Sequence, residues 1–237
     1  MPLLSTRGAG SIRSFGFAGA SAPLNLAVPS ISGTTTVGNA LSSTTGTWSG
    51  TPTITFAYQW KRDGSAISGA TSSSYTLVSA DAGTVITCTV TATNAVTSVT
   101  STSTGTSAIL QIPVVSSAPT ISGTTTVGNA LSSTTGTWTG YPASFSYAYQ
   151  WNRAGSAISG ATSSSYTLVS ADASNTITCT VTATNSTGSA SSTSSATAAI
   201  AQSPVNTSAP SISGATAQGS TLSSTTGSWT GYPASFS

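Results

Sequence analysis

Apolar and polar residues alternate with a period of two along several short stretches of this chain. Between positions 85 and 93 the apolar residues take every second place, and these are Ile86, Cys88, Val90 and Ala92. Threonines fill the places between them. A period of two predicts a β-strand with one buried face and one face lined by hydroxyl groups.

The same test predicts further strands, each bounded by turn residues. Residues 56–61 form one such stretch, whose inward side chains would be Phe56, Tyr58 and Trp60. Residues 74–78 form another, and residues 40–42 lead into an expected corner at 46–48. No stretch combines a 3.6-residue period with helix caps. Short strands separated by turns predict an all-β fold of two packed sheets.

A chain rich in Ser and Thr is also typical of a disordered or glycosylated stalk. Such a stalk has no packed core and needs no alternation, whereas this chain contains five Trp and seven Tyr. We therefore expect folded domains.

The alternating pattern occurs in repeated copies. Residues 32–48 recur unchanged at 122–138 and in altered form at 213–229. Trp60 and Trp151 are 91 residues apart, and Cys88 and Cys179 are also 91 apart. A period of this length is a whole domain rather than a solenoid turn. We expect the front of a longer array, divided into an extended segment at 1–26, modules at 27–114 and 115–205, and the start of a third module at 206–237.

Charge excludes two classes of partner. Charged residues make up 3% of the chain, with a net charge of +2, against about a quarter in ordinary soluble proteins. No basic stripe for phosphates and no polybasic patch for anionic lipid is present. No apolar run has the length of a transmembrane helix or a signal peptide. We therefore expect neither nucleic-acid binding nor membrane insertion.

The side-chain inventory also argues against an enzyme. The chain has no His and only three acids, Asp63, Asp81 and Asp172. Asp81 and Asp172 are the same position in two modules, so no pair of carboxylates should converge for acid–base chemistry. We expect them to brace a turn through side-chain to backbone hydrogen bonds. A calcium site between modules is the alternative, but calcium takes roughly six to eight oxygen ligands. No cofactor or metal site is expected.

The two cysteines belong to separate predicted cores. Cys88 and Cys179 each lie on the inward face of a strand, so a bridge between them would need Cα atoms within about 7 Å that belong to different domains. We expect buried free thiols, which are compatible with a reducing cytoplasm.

The motifs of the first copy run in a fixed order: YQWKRDG at 58–64, SYTL at 74–77, DAG at 81–83, ITC at 86–88 and VTATN at 90–94. This order resembles bacterial and bacteriophage immunoglobulin-like modules. The resemblance implies tandem Ig-like β-sandwiches, preceded by an extended N-terminal anchoring segment, with Trp60, Cys88, Trp151 and Cys179 in the structural cores. The strand B cysteine of the immunoglobulin pattern is absent, and Leu41 stands in its place. The modules must therefore be held together by packing alone.

The two copies differ mainly at 49–56 and at 94–108. In an immunoglobulin topology these stretches are the B–C and F–G loops, which share one pole of the sandwich. They would form either a ligand-binding tip or a surface that faces whatever precedes the module.

Residues 1–26 have their own composition. Glycines make the segment flexible, while Arg7, Arg13, Phe15 and Phe17 provide charge and aromatic anchors. Such a segment would dock on another protein by lying along its surface or adding a strand to a sheet edge. The run GAGSIRSFGF at 8–17 resembles an N-terminal motif of structural proteins of marine and cyanobacterial phages. A disordered tail is the alternative.

These resemblances imply a structural virion protein without enzyme activity, assembled in the host cytoplasm. It would be a tail or neck fibre or appendage subunit, anchored to tail, neck or capsid proteins by residues 1–26, with Ig-like spacer modules directed toward the host surface. Phage fibres further imply a homotrimer. A capsid decoration or head-fibre protein with weak binding of host glycans through Tyr141 and Tyr232 is one alternative, and a bacterial surface adhesin is another. In the first alternative the tyrosines would stack on sugars, although a Gly-Tyr-Pro loop is also typical of a packed turn.

Overall fold

The computed structural model describes residues 19–232. The chain forms two compact units, of which the first reaches Ile109 and the second begins at Leu110. The first unit contains one complete β-sandwich, called the first module below. The second unit contains another complete sandwich, the second module, followed by a partial third copy from Gln202 onward.

Strands and two short 3-10 helices make up the regular structure of the described residues. The strands of the first module are β1 (Ser21–Ala27), β2 (Ile31–Gly33), β3 (Ala40–Ser43), β4 (Thr47–Thr51), β5 (Thr55–Arg62), β6 (Ser65–Ala66), β7 (Ser74–Thr76), β8 (Ile86–Thr93) and β9 (Ser98–Thr102). Those of the second module are β10 (Gln111–Ser117), β11 (Ile121–Gly123), β12 (Ala130–Ser133), β13 (Thr137–Tyr141), β14 (Ser146–Arg153), β15 (Ser156–Ala157), β16 (Ser165–Thr167), β17 (Ile177–Asn185) and β18 (Gly188–Thr193). The third copy contains β19 (Gln202–Ser208), β20 (Ile212–Ser213), β21 (Ser223–Ser224) and β22 (Ser228–Tyr232). The 3-10 helices are Ser79–Asp81 and Ser170–Asp172.

The strands of each complete module pair in the same order. One sheet of the first module has the order β6-β5-β8-β9 and another has the order β2-β3-β7, while β1 pairs with β4. The second module repeats this pairing strand for strand. The expected all-β sandwich fold is therefore confirmed.

The alternation that predicted β8 is observed in the core. Ile86, Cys88, Val90 and Ala92 are all fully buried, and Leu41 from β3 joins the same apolar cluster. Alternation along β5 is buried only in part, because Phe56 remains 39% exposed whereas Trp60 is completely enclosed. Only the second half of β5 is therefore buried in the core.

The expected corner at 46–48 is instead a bend that leads into β4. Gly46 has a φ of +75°, and a Cβ atom there would collide with the carbonyl oxygen of Ala27. Glycine therefore allows the chain to bend after β3 and to continue as β4, which pairs with β1.

The module borders differ from the predicted ones at 26/27, 114/115 and 205/206. Strand β1 already begins at Ser21 and belongs to the first module, and β10 and β19 begin at Gln111 and Gln202. The first border between units falls after Ile109. Strands β10 (QIPVVSS) and β19 (QSPVNTS) are identical at four of seven positions, whereas β1 (SAPLNLA) shares only its proline with both of them. The sequence repeat is therefore weak through β1, which its backbone pairing with β4 holds in place.

Candidate functional site

The predicted anchor residues Arg7, Arg13, Phe15 and Phe17 lie outside the described residues. Of the expected segment 1–26, the structure describes residues 19–26, and most of these belong to β1. Residues 21–26 therefore belong to the first module and not to a separate segment.

The four predicted core residues occupy equivalent places in the two modules. Trp60 and Trp151 are fully enclosed, and their indole Nε1 atoms donate to the carbonyl oxygens of Ser72 and Ser163, both at 2.9 Å. The side chains of Cys88 and Cys179 are fully buried, and both thiols are free. Burial raises the pKa of each thiol, which makes it a poor nucleophile.

A closed polar network surrounds Asp81, whose side chain is completely buried. Its Oδ1 atom accepts a hydrogen bond from Nε of Arg62 at 2.7 Å, and the second guanidinium contact is 2.6 Å. Its Oδ2 atom accepts from the hydroxyl of Tyr75 at 2.8 Å and from the backbone N–H of Val78 at 2.7 Å. Both carboxylate oxygens are thus taken up by donors of the same module.

The second module contains the same network around Asp172. Oδ1 accepts from Nε of Arg153 at 2.6 Å, while Oδ2 accepts from Tyr166 at 2.9 Å and from the N–H of Val169 at 2.7 Å. We call these two arrangements the Arg–Asp–Tyr braces. They join the end of β5 or β14 to the turn before β8 or β17.

The electrostatics of the braces affect the arginines and the tyrosines. The hydrogen bond from Asp81 is the main cause that raises the pKa of Arg62, and Asp172 acts in the same way on Arg153. Burial is the main cause that raises the pKa of Tyr75 and Tyr166, and the hydrogen bond to the carboxylate adds to it. A guanidinium that stays charged and a phenol that stays protonated have no acid–base role near neutral pH.

Sequence reasoning predicted the backbone part of the brace but missed its Arg and Tyr partners. The charged residues that both copies retain could have indicated these partners. Lys61 and Asp63 are replaced by Asn152 and Ala154 in the second copy, whereas the arginine between them is retained. In each module this arginine lies 19 residues before the aspartate. In a chain with so few charges, a cation and an anion that are both retained at fixed spacing indicate an ion pair.

An asparagine at one pole of each sandwich joins three segments. In the second module, Nδ2 of Asn185 donates to the carbonyl oxygens of Gln111 at 2.9 Å and Pro142 at 3.0 Å, and its Oδ1 accepts from the N–H groups of Thr187 and Gly188. In the first module Asn94 makes the corresponding bonds to Ser21, Thr51, Val96 and Thr97. The start of the first strand, the loop after β4 or β13, and the turn after β8 or β17 therefore lie together.

Aromatic side chains are exposed near this pole in the second module. Tyr141 at the end of β13 is 36% exposed, and its carbonyl oxygen accepts from the hydroxyl of Thr187 at 3.1 Å. Tyr147 is 39% exposed, with its ring 6.5 Å from that of Phe145. The backbone of Tyr232 ends β22, whereas its side chain lies outside the described part of the chain. The exposed ring of Tyr141 could contact a ligand, whereas its backbone is fixed by the hydrogen bond from Thr187, as is typical of a packed turn.

The pairing of one tryptophan with one cysteine decides the type of sandwich. Trp60 of β5 lies directly opposite Cys88 of β8, Trp151 lies opposite Cys179, and Leu41 packs in the same core as the first pair. This chain is a tandem of immunoglobulin-like domains. No known family profile and no curated protein matches the sequence.

Solved structures with tandem immunoglobulin domains are similar in fold. The I-band fragment I67–I69 from titin is 17% identical, with 86% of this chain and 76% of that chain covered and a TM-score of 0.35. The N-terminal four Ig domains of Dscam1 isoform 6.9 are 14% identical, with 75% and 46% covered and a TM-score of 0.34. The full ectodomain (Ig1–Ig3) of mouse nectin-like molecule 4 is 19% identical, with 73% and 63% covered and a TM-score of 0.31.

Three shallow depressions lie on the described surface of the Ig-like modules. Two equivalent ones, of about 240 and 250 Å³, lie along residues 67–76 and 158–167, and a third of about 240 Å³ lies beside Pro119. These volumes fall below the roughly 300–1,000 Å³ of small-molecule sites. Between residues 19 and 232 no three His, Cys, Asp or Glu side chains are grouped for a metal ion. No helix in that range has the length and apolar character to cross a membrane.

Proposed function

We propose that this protein is a structural subunit of a tailed-phage fibre or appendage, in which Ig-like modules act as spacers. The observation that carries the proposal is the pair of Arg–Asp–Tyr braces. Each module directs its single buried carboxylate into a closed internal network, so this group is not available to bind or transform a ligand. A domain whose polar groups are used internally is suited to hold a shape and a distance.

The connections between copies support the same role. Ile109 is fully buried in the core of the first module, and Gln111 is the first residue of β10, so only Leu110 lies between them. In the same way only Ala201 lies between the buried Ile200 and the start of β19 at Gln202. Connections of this length place the copies in direct succession along the chain, as a series of spacers requires.

The virion setting rests on the resemblance of residues 8–17 to the N-terminal motif of phage structural proteins. The partners would be tail, neck or capsid proteins, and the subunit would form a homotrimer. Buried free thiols without disulfides support assembly in the host cytoplasm. The structure changes one part of the proposal, because residues 21–26 belong to β1 and the anchor is therefore reduced to residues 1–18.

Two truncations test the anchor. Deletion of residues 1–18 should leave the first module folded with an unchanged melting temperature, but the chain should no longer be incorporated into particles. Deletion of residues 1–26 removes most of β1 and should also destabilise the module, because β4 loses its partner. Normal incorporation of the shorter truncation would contradict the docking role.

A substitution within the anchor separates docking from simple length. The variant Phe15→Ala with Phe17→Ala keeps all residues and should reduce incorporation as the truncation does. The matched control is Ser11→Ala with Ser14→Ala, which keeps the aromatic anchors and should be incorporated normally. Equal incorporation of the two double variants would contradict the assignment of Phe15 and Phe17.

Weak glycan binding by a head-fibre or decoration protein is the second candidate, favoured by the exposed rings of Tyr141 and Tyr147. A glycan array probed with residues 19–237 tests it. Specific binding that Tyr141→Thr abolishes would favour this candidate over the passive spacer, and Thr51 occupies the equivalent place in the first module.

A further inference from the structure

Strand β1 presents apolar side chains on its outward face. Leu24 and Leu26 are 60% and 61% exposed, and Val28 just after the strand is 54% exposed. These three residues take every second position, and we call them the β1 strip. Asn25 lies between them and faces the module, where its Oδ1 atom accepts a hydrogen bond from the hydroxyl of Ser101 at 3.1 Å. The strip therefore points away from the core.

Strand β4 leaves the strip open. The residues of β4 beside the strip are Ser49 and Thr47, which are short, polar and exposed. Leu26 is the extra residue where the register with β4 shifts, so it lies directly opposite none of the β4 residues. Three adjacent aliphatic side chains without such cover are typical of an interaction surface rather than of a solvated strand.

The other copies show that the fold does not require this strip. Its three positions are exposed in all copies. They are filled by Val114, Ser116 and Ala118 in the second copy and by Val205, Thr207 and Ala209 in the third. The hydroxyl of Ser116 pairs with that of Thr137 in β13 at 2.8 Å, which is a solvated polar contact. Large aliphatic side chains at all three positions are therefore a property of the first copy.

The exposed apolar side chains of β10 are supported by their own module. Ile112 lies against Gly188, because a Cβ atom on that glycine would come within 2.9 Å of the Cγ2 atom of Ile112. Val115 takes the place of Asn25 and lies opposite Trp138. Both are less exposed than the residues of the β1 strip, at 45% and 40%. Their exposure therefore does not call for an external partner.

The strip lies where the proposed anchor enters the first module. The carbonyl oxygen of Gly19, the first described residue, accepts a hydrogen bond from the hydroxyl of Thr51 at 3.2 Å, and β1 begins at Ser21. Before β10 and β19, in contrast, the chain comes from the buried residues Ile109 and Ile200 of a complete module. The three aliphatic residues thus occur in the copy that follows the anchor and not in the copies that follow another module.

We propose that the β1 strip is a second contact of the docking site and packs against an apolar, uncharged surface of the virion protein that holds residues 1–18. This inference rests on the proposed function. Residues 19–60 contain no charged side chain, so a charged group opposite the strip would be buried without a counter-ion. The partner surface should therefore consist of aliphatic or aromatic side chains.

The size of the strip favours this partner over a second copy of the chain. A stable interface between two free proteins buries about 800 Å² on each of them, which is more than three aliphatic side chains provide. Beside an anchor that is already bound, however, the strip is held at an effective concentration in the millimolar range. A weak apolar contact then adds to the affinity of the anchor.

An exchange of residues between the modules tests the contribution of the strip. The variant Leu24→Val with Leu26→Ser and Val28→Ala has the residues of the second module, which the same strand pairing tolerates. Its melting temperature should be unchanged, whereas its incorporation into particles should fall at least about tenfold because the apolar contact is lost.

Two controls accompany this variant. Val114→Leu with Ser116→Leu and Ala118→Val places the strip in the second module and should be incorporated normally. Deletion of residues 1–18 is measured in parallel. If the deletion abolishes incorporation and the strip variant is incorporated as the natural chain is, the strip has no docking role although the proposed function stands. If the deletion is incorporated normally, the docking role of residues 1–18 fails and this inference fails with it.

Thiol labelling locates the contact without relying on a loss of incorporation. Leu26→Cys and Ser116→Cys are made at equivalent positions of the two modules, and the buried Cys88 and Cys179 are slow-reacting references. In free chains both new thiols should react at a rate that does not depend on protein concentration. In particles, position 26 should react at least about tenfold more slowly, because labelling then requires local opening of the contact, whereas position 116 should keep its rate.

Three labelling results would overturn the proposal. The first is a rate at position 26 that is the same in particles and in free chains. The second is an equal slowing at positions 26 and 116, because the protection would then not belong to the strip. The third is labelling of the free chain at position 26 that slows with protein concentration, because the partner would then be a second copy of the chain.

Discussion

The first and second modules share their core and differ mainly at one pole of the sandwich. Both bury one Trp, one Cys and one Arg–Asp–Tyr brace in matching places, and their β5–β8 and β14–β17 ladders have the same register. At the Asn94 and Asn185 pole, in contrast, Thr51 is replaced by Tyr141 and Phe56 by Tyr147. The retained positions include the core and the brace, but also exposed residues such as Ser32 and Thr34.

This difference teaches how the chain divides its tasks. A module without a disulfide relies on its core and brace, so these tolerate little change. The side chains of Tyr141 and Tyr147 at the pole are partly exposed, so they are less constrained by the core than Trp151 is.

Removal of the core tryptophan should have the largest effect. Trp60→Ala and Trp151→Ala should each lower the free energy of unfolding of their module by about 3–5 kcal/mol, because a large cavity and an unpaired carbonyl are left behind. Hydrogen exchange measured in denaturant reports each module separately. The exposed Val96→Ala is the control, with an expected change within about 0.5 kcal/mol. If the two variants differed strongly in the free energy of unfolding that they lose, the two cores would not be equivalent.

Loss of the brace arginine should have the next largest effect. Arg62→Met and Arg153→Met each leave a buried carboxylate without its cation, which should cost about 2–4 kcal/mol; breaking a fully buried pair costs about 3–5 kcal/mol. The lower range applies because the arginine side chains are 29% and 28% exposed. Lys61→Asn introduces the residue of the second module beside Arg62 and should be nearly neutral. Urea unfolding measures both variants. If Arg62→Met changed the free energy of unfolding as little as Lys61→Asn does, the brace would not stabilise the module.

Alkaline pH should weaken both modules to a similar, smaller extent. Burial raises the pKa of Cys88 and Tyr75 in the folded state, so the unfolded chain releases these protons first. Their contribution is complete below the unfolded values of about 9 and 10 and is lost as pH rises through the folded values, by up to about 1.4 kcal/mol per pH unit and group. Unfolding measured between pH 7 and 11 checks this. Cys88→Ala with Cys179→Ala should move the onset toward pH 10, and an unchanged onset would contradict the thiol contribution.

Substitution of the exposed tyrosine at the pole should have the smallest effect on stability. Tyr141→Thr introduces the residue of the first module at an exposed position and should change the free energy of unfolding by less than about 0.5 kcal/mol. Asn185→Ala at the same pole is the informative contrast, because it leaves the carbonyl oxygens of Gln111 and Pro142 without their donor and should cost about 1–3 kcal/mol. Thermal melting of both variants distinguishes an open surface from the asparagine that supports it.

The sequence predicted those parts of the fold in which side chains alternate against a core. Strand β8 and the burial of Trp60 and Cys88 follow from the period of two, because each inward position meets the opposite sheet. Phe56 follows the same period but remains partly exposed, since periodicity does not reveal how far a strand extends beyond the core. Strand β1 was missed for a related reason: backbone pairing holds it, and its outward Leu24 and Leu26 are about 60% exposed.

The brace was missed because its partners are distant in sequence and were assessed one at a time. Asp81 by itself indicates a turn cap, and the structure contains that hydrogen bond to Val78. The ion pair with Arg62 emerges only when β5 is placed beside the turn before β8. Retention of both charges in both copies would have been sufficient to predict it.

If the repeated modules are interchangeable spacers and residues 1–18 contain the partner-specific information, one module can replace the other. The decisive experiment replaces residues 111–201 by a second copy of residues 21–110, which keeps Leu110 and Gln202 as neighbours of the exchanged module. Particles should incorporate this chain and attach to their host as the original ones do. Loss of incorporation or attachment, with both modules folded by hydrogen exchange, would contradict this expectation and would give the second module a binding role of its own.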